Sequence, residues 1–310
     1  MSLTVVGSIA FDAVQTPHGG RERMLGGAAV HFSLAASFFD DVRVVGPVGD
    51  DFGDDEYAVL HARNVITDDI EHVEGGKTFF WSGVYHEDMN ARDTLETDLN
   101  VFETFDPKLS QASKDADVLF LANILPALQL NVRRQCPQAR FVALDSMDLW
   151  INIAKDALVA AIAEVDCVIL NDGEVAQLTG EREVVAGARR VLELGPRATV
   201  VKLGKYGAAL VTPEESFWVP AFPVDFVADP TGAGDSFAGG FVGVVAAHGG
   251  DASSDVLKLA MAYGTAIASY NVEEFGTERV ARLTAPEIVQ RVEELQRITS
   301  FDTREVALKG

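Results

Sequence analysis

The chain has 310 residues, enough for one large α/β domain or two smaller ones, and 48% of them are hydrophobic, enough to fill a core. Its formal charge of −22 speaks against a nucleic-acid partner and against an anionic membrane surface, both of which demand a basic face. Met1–Ala10 lacks the basic start of a signal peptide and no 18-residue apolar run occurs, so a cytoplasmic protein without a membrane span is expected. Cys136 and Cys167 have no metal-ligand spacing, and Cys167 reads as a small buried hydrophobe.

In chain order, short apolar runs predict strands over Leu3–Ile9, Val42–Gly46, Val118–Leu121, Phe141–Asp145, Cys167–Leu170 and Thr199–Leu203. Helical spacing predicts helices over Ala28–Phe39, Phe52–Arg63, Ile151–Glu164, Glu183–Leu194, Ser236–His248, Asp255–Ser269 and Pro286–Arg297. The last opens with a capping box at Thr284 and Glu287. Alternating strands and helices imply an α/β fold with a mostly parallel central sheet flanked by helices. Lys77–Tyr85 and Thr94–Phe102 have no helix between them and read as a small antiparallel β lid. The expected division is residues 1–10, 26–76 and 104–310 as the α/β core, with 11–25 and 77–103 as the lid.

Residues 229–243 read Asp-Pro-Thr-Gly-Ala-Gly-Asp-Ser-Phe-Ala-Gly-Gly-Phe-Val-Gly. Gly232, Ala233 and Gly234 are small enough for a phosphate to approach the backbone where a helix begins. Asp235 closes this cradle as a carboxylate able to take the proton of an attacking hydroxyl. No Gly-x₄-Gly-Lys-[Ser/Thr] run occurs, so any triphosphate grip is not a P-loop, and no Gly-x-Gly-x-x-Gly follows the first strand, which argues against a Rossmann dehydrogenase.

The cradle resembles the second signature of the ribokinase-like, phosphofructokinase B family of small-molecule kinases. The Gly26-Gly27-Ala28-Ala29-Val30-His31 stretch resembles its first. The resemblance spans nearly the whole chain. It implies an ATP-dependent phosphotransferase using Mg²⁺, with Asp235 as base and the N–H groups of Ala233, Gly234 and Asp235 around the moving phosphoryl group. It implies that Asp12, at the end of the first strand, grips a substrate diol, with Gly26 and Gly27 close to substrate. His31 replaces the family's usual Asn and reads either as a substrate contact or as a packed helix histidine. Asn123 reads as a substrate contact or a turn residue. For Asp50 and Asp51, capping of the following helix is preferred.

On the nucleotide side the resemblance places Asn171 and Glu174 near Mg²⁺ and the triphosphate, with Glu174 reaching the metal through water. Taken alone, Asn171 is an N-cap with Glu174 as its box partner, and the two roles are compatible. Gly204 and Gly207 fall beside the phosphates, with Lys202 as a helper or a surface charge. Asp229 and Thr231 would join a later loop, Ser269–Gly276, around a monovalent cation such as K⁺, and that loop, with Asn271, would border adenine. Phe79, Trp81 and Tyr85 share one strand face by alternation, and Phe11 lies beside Asp12. This aromatic face suits stacking on a base or packing against a second lid in a homodimer. The expected reaction is γ-phosphoryl transfer to the primary hydroxyl of a ribonucleoside such as adenosine. A simple sugar kinase and a non-catalytic nucleotide sensor are the alternatives.

Overall fold

The computed structural model describes residues 2–302. Its first strands are β1 (Ser2–Val6), β2 (Ala10–Thr16), β3 (Gly19–Gly26), β4 (Asp41–Val48), β5 (Ile66–His72), β6 (Phe79–Tyr85) and β7 (Arg92–Asp98). They are followed by β8 (Val118–Leu121), β9 (Phe141–Asp145), β10 (Cys167–Asn171), β11 (Ala198–Lys202), β12 (Ala208–Val211) and β13 (Ser216–Val219). The main sheet has the order β13-β12-β11-β10-β9-β8-β1-β4-β5. It is parallel from β5 to β11, and β12 and β13 add an antiparallel edge.

The central strands are buried on both faces, which is why they read as unbroken apolar runs: all of Val118–Leu121 and Phe141–Asp145 is buried. One face is covered by helices Ala28–Ala36, Ala233–Ala247 and Ser254–Asn271, where Phe32 stacks on Phe120 with centroids 4.2 Å apart. The other carries Pro126–Gln135, Lys155–Ile162, Asp172–Thr179 and Val184–Leu192. No helix among the described residues is long and apolar enough to cross a membrane.

A second sheet, β3-β2-β6-β7, rises from the carboxyl edge of the first. It is fastened at several places, two of them in the segments that lead into it. At the first, Ser8 Oγ accepts from the Ala28 N–H (3.0 Å) and the Ser8 carbonyl from the Ala29 N–H (3.0 Å). At the second, Thr78 Oγ1 accepts from the Gly49 N–H (3.0 Å), the Thr78 N–H donates to Asp51 Oδ1 (2.7 Å), and Asn100 Nδ2 donates to the Thr78 carbonyl (2.9 Å). Asp50 and Asp51 therefore do not cap the next helix. Asp50 Oδ2 accepts from the Gly75 N–H (2.8 Å), while Gly53 is the N-cap, closed by Glu56.

Other expectations are corrected at element ends. The Ile151–Glu164 pattern is two helices, Asp148–Ile153 and Lys155–Ile162, broken at Ala154. The expected Thr94–Phe102 strand ends at Asp98 and runs into a 3₁₀ turn, Asn100–Thr104. The helix expected from Ser236 starts at Ala233. Cys136 and Cys167 are buried free thiols.

Candidate active site

The cradle lies in the first turn of helix Ala233–Ala247. Gly232 is its N-cap at φ 74°, a left-handed conformation that glycine adopts without strain, and a Cβ there would meet the His31 ring at 2.2 Å. The N–H groups of residues 233–235 are helix-end donors. That of Ala233 turns back to the Pro230 carbonyl (3.2 Å). The Gly234 N–H has no acceptor among the described residues and points the helix's positive end at the cleft.

Asp235 occupies the third position of that turn. A helix N-terminus by itself lowers a carboxyl pKa. Burial wins instead and holds Asp235 above the usual carboxylate range, against the pull of Lys202 and Arg92. The result is a better proton acceptor than an exposed capping acid.

Lys202, at the end of β11, anchors the charges around it. Its Nζ is 3.0 Å from Asp145 Oδ2, with both side chains largely buried. Burial opposes the ammonium, but Asp145, Glu174 and Asp235 outweigh it and hold its pKa above the ordinary lysine value. Asn171 caps helix Asp172–Thr179. Its Oδ1 accepts from the Glu174 N–H (2.7 Å), and Glu174 Oε2 accepts from the Asn171 N–H (2.8 Å). Burial raises the Glu174 carboxyl, with Lys202 opposing. Asp145 is a member of the site that the sequence expectations omit, although an acid ending an apolar strand at the carboxyl edge is the same signal that singles out Asp12.

Beside these groups lies a cleft of ≈ 580 Å³. Its lining joins Lys202, Gly204, Lys205, Gly207 and Gly234 with Phe222, Val227, Thr265 and Val272. Asn271, expected at adenine, is fully buried and does not line it. Its Nδ2 donates to the Thr231 carbonyl (2.7 Å), and its Oδ1 accepts from Ser236 Oγ (2.9 Å). The same oxygen lies 3.2 Å from His31 Nδ1, which must therefore carry a proton and donate. His31 Nε2 is then a lone pair, and it has no partner among the described residues. Burial lowers the His31 pKa to about 4, so the ring is neutral. Asn271 and His31 thus brace the cradle from below.

Asp229 has both carboxylate oxygens engaged, one by the Thr231 N–H (2.9 Å) and one by the Gly276 N–H (2.9 Å). This stitches residues 229–231 to the loop after helix Ser254–Asn271. No group of three or more His, Cys, Asp or Glu suited to a metal occurs among the described residues.

Asp12, in β2 of the lid sheet, is buried. Burial, helped by the charge of Asp229, pushes its carboxyl up to about 7. Gly26 pairs with Ala10 in the neighbouring register, and a Cβ there would strike the Asp12 carboxylate at 2.0 Å. Gly27 precedes helix Ala28–Ala36 as its N-cap. Trp81 is the register partner of Asp12 across the parallel β2–β6 pair, and its ring lies over Gly83.

The other aromatic expectations are corrected. Phe79 stacks on Phe102, with centroids 5.5 Å apart, so its ring is committed there. The Tyr85 hydroxyl pairs with Thr231 Oγ1 (3.3 Å). Phe11 alternates away from Asp12 into the core, with the Arg23 guanidinium 3.5 Å from its ring centroid. Asn123 ties two loops, accepting from Trp150 Nε1 (2.9 Å) and donating to Met147 Sδ (3.1 Å).

Arg92, the first residue of β7, carries no motif that marks it in the sequence. It is exposed, yet it acts on the carboxyls of Asp12, Glu174 and Asp235 and on the Tyr85 phenol. No carboxylate lies within ion-pair distance of it among the described residues.

The family model described as "pfkB family carbohydrate kinase" matches residues 2–282. A cytidine kinase of Thermococcus kodakarensis is 28% identical over 249 residues, 78% of this chain and 87% of that protein. An ATP-dependent ribose-1-phosphate kinase of Halopiger xanaduensis is 28% identical over 225 residues, 70% of this chain and 72% of that protein. Among solved structures, Burkholderia thailandensis nucleoside kinase in complex with ADP-inosine has a TM-score of 0.80 at 17% identity, covering 99% of this chain and 100% of that one. Methanocaldococcus jannaschii nucleoside kinase, an archaeal member of the ribokinase family, has a TM-score of 0.76 at 20% identity, covering 94% and 98%. These likenesses fix the fold, and the match over residues 2–282 fixes more: the chain belongs to the pfkB family of carbohydrate kinases, phosphotransferases acting on sugar or nucleoside hydroxyl groups.

Proposed function

We propose that the chain transfers the γ-phosphoryl group of ATP to the primary hydroxyl of a ribosyl compound, with a ribonucleoside as the favoured acceptor. The observation that carries the acceptor class is the register pair Asp12–Trp81. It sets a carboxylate able to accept from two adjacent hydroxyls beside a flat ring able to stack on a base. The relative that acts on cytidine supports this reading.

In the proposed mechanism Asp12 holds the ribose diol and aims its hydroxymethyl group at Asp235. Asp235 takes the hydroxyl proton as the oxygen attacks. The Gly234 N–H, which has no acceptor among the described residues, stabilises the transferring group, whose transition state is loose and mainly needs positioning and charge stabilisation. Lys202, held charged, and Arg92 offset the growing negative charge. Glu174, with Asn171 behind it, is a carboxylate made uncomfortable by burial and would hold Mg²⁺ through water. When bound, Mg²⁺ supplies charge neutralisation at the phosphates. Asp229 and Thr231, with the loop that Gly276 ties to Asp229, would hold K⁺.

A second reading is favoured by one observation: Arg92 puts a cation within electrostatic reach of Asp12. An acceptor carrying its own phosphate would use it, as the ribose-1-phosphate kinase relative suggests. ATP consumption is the test, measured with cytidine, adenosine, inosine, ribose, fructose and ribose 1-phosphate. Turnover with a nucleoside above all sugars is expected. Preference for ribose 1-phosphate would replace the first reading with the second, and no turnover with any of them would sink both.

A further inference from the structure

The hairpin joining β6 to β7 reaches both sides of the active site. Its strand ends face the acceptor side, through Tyr85 at Thr231 and Arg92 among the acids. Its turn goes elsewhere. Asp88, Met89 and Asn90 line the cleft that holds Lys202, Gly204, Lys205 and Gly234.

The turn is built, not frayed. Asp88 Oδ1 accepts from the N–H groups of Asn90 (3.2 Å) and Ala91 (3.1 Å), and the Met89 N–H donates to the His86 carbonyl (2.9 Å). His86 Nε2 pairs with Asp93 Oδ2 at 2.8 Å and closes the base of the turn. Met89, at φ 55°, packs with Val14, Tyr85, Ala228 and Phe275, so it docks the turn onto the loops that flank the cradle. Asn90 Oδ1 stands over Gly204 so closely that a Cβ there would meet it at 2.7 Å. Asp88 feels the charge of Lys205 from across the cleft.

We infer that residues 88–90 of the lid are part of the nucleotide site, with the Asn90 side-chain amide facing the phosphate end of a bound nucleoside diphosphate or triphosphate. This rests on the kinase reading above. A carboxamide has two N–H donors and one acceptor, which suits phosphate oxygens or a ribose hydroxyl. Met89 is the positioning residue that keeps the turn over the cleft. The same hairpin thereby touches both substrates.

Titration of the full-length protein with Mg·ADP tests this in wild type, Asn90→Ala and Met89→Gly, with Met89→Leu as the conservative control. The dissociation constant is expected to rise roughly three- to tenfold in the first two variants, the loss of about one hydrogen bond, and to stay near wild type in Met89→Leu. Amide exchange over residues 86–91 is expected to slow on the order of tenfold when Mg·ADP is added to wild type. Asn90 is exposed, so an unchanged melting temperature is expected for Asn90→Ala and separates lost contact from lost fold. If wild type binds Mg·ADP but both variants bind equally well and exchange at 86–91 does not change, the hairpin assignment is overturned while the kinase reading stands. If wild type binds no Mg·ADP, both fall together.

Discussion

The two sheets bring different kinds of group to the candidate site. The main sheet supplies chemistry from fixed points: strand ends carry Asp145, Asn171 and Lys202, and a helix start carries Gly234 and Asp235. These groups are held by packing on both faces of the sheet and by hydrogen bonds such as that of Lys202 to Asp145 (3.0 Å). The lid supplies Asp12, Trp81, Tyr85 and Arg92 from strands of unequal cover: β2 is mostly buried, β6 half-buried, and all of β7 is exposed. Groups on the first sheet suit steps that demand fixed geometry. Groups on the second suit recognition of a molecule that must enter and leave.

If that division is right, changes in the main sheet should act on turnover and changes in the lid on acceptor affinity. Asp235→Asn is expected to lose kcat by on the order of 10²–10⁴-fold, the range for a removed general base, while Mg·ADP still binds. Steady-state kinetics beside a nucleotide titration check it, and near wild-type turnover would remove Asp235 from the chemistry.

Asp12→Ala is expected to raise the acceptor KM. Two charge-assisted hydrogen bonds are worth at most roughly 1.5–3 kcal/mol each. A mainly kcat effect would blur the division between sheets. The same residue gives a pH signature. Its carboxyl lies up at about 7 in the folded chain against an ordinary aspartate value of 3.8, so the neutral form is favoured by folding. Stability is therefore expected to fall as pH climbs from about 4 to about 7, because the unfolded chain gives up that proton first. Over the upper part of the range acceptor kcat/KM is expected to rise, as the carboxylate forms. Asp12→Asn should lessen both trends and leave the share carried by Glu174, also raised to about 7, read by thermal melts and kinetics across pH.

Trp81→Ala is expected to weaken nucleoside binding by about 1–3 kcal/mol, as base–aromatic stacking does elsewhere, with little change for ribose. Equal losses for both acceptors would return the balance to a sugar. Arg92→Ala is expected to cost about tenfold in kcat, less than a buried donor because solvent screens it. That would be the one lid residue acting on turnover, and a pure KM effect with ribose 1-phosphate would assign it to the acceptor instead. Phe79→Ala, last in effect, should leave both kinetic constants alone and lower stability by about 1–3 kcal/mol through its lost contact with Phe102.

The same contrast governs what a sequence can reveal. Strands buried on both faces announce themselves, so Val118–Leu121 and Phe141–Asp145 are legible to the residue. The edge strand Ile66–His72 carries Thr67, Asp68, Asp69 and Glu71 and gives no such sign, since an edge needs no apolar run. The cradle is legible because glycines, acid and helix onset fall together within four residues. Asn271 is not, because its helix borders the cleft while its own side chain turns inward to Ser236. Arg92 is hidden altogether: one cation in an exposed polar strand gains meaning only when folding sets three acids before it.

The fastenings of the lid have a mechanical meaning. Ser8 and Thr78 taken alone would act as a hinge, but the lid is tied again beyond them, where Thr16 Oγ1 donates to the Ala228 carbonyl (3.1 Å) and Thr231 Oγ1 donates to the Tyr85 hydroxyl (3.3 Å). A hinge swings only when its far side is loose, so movement of this lid has to begin by letting go of residues 228–231. Those same residues lead into the cradle, which makes the release of the lid and the shape of the cradle one event. Amide exchange in the free protein should therefore be alike at Thr16 and Tyr85, and rapid exchange at Tyr85 with Thr16 protected would mean that the hairpin lets go by itself.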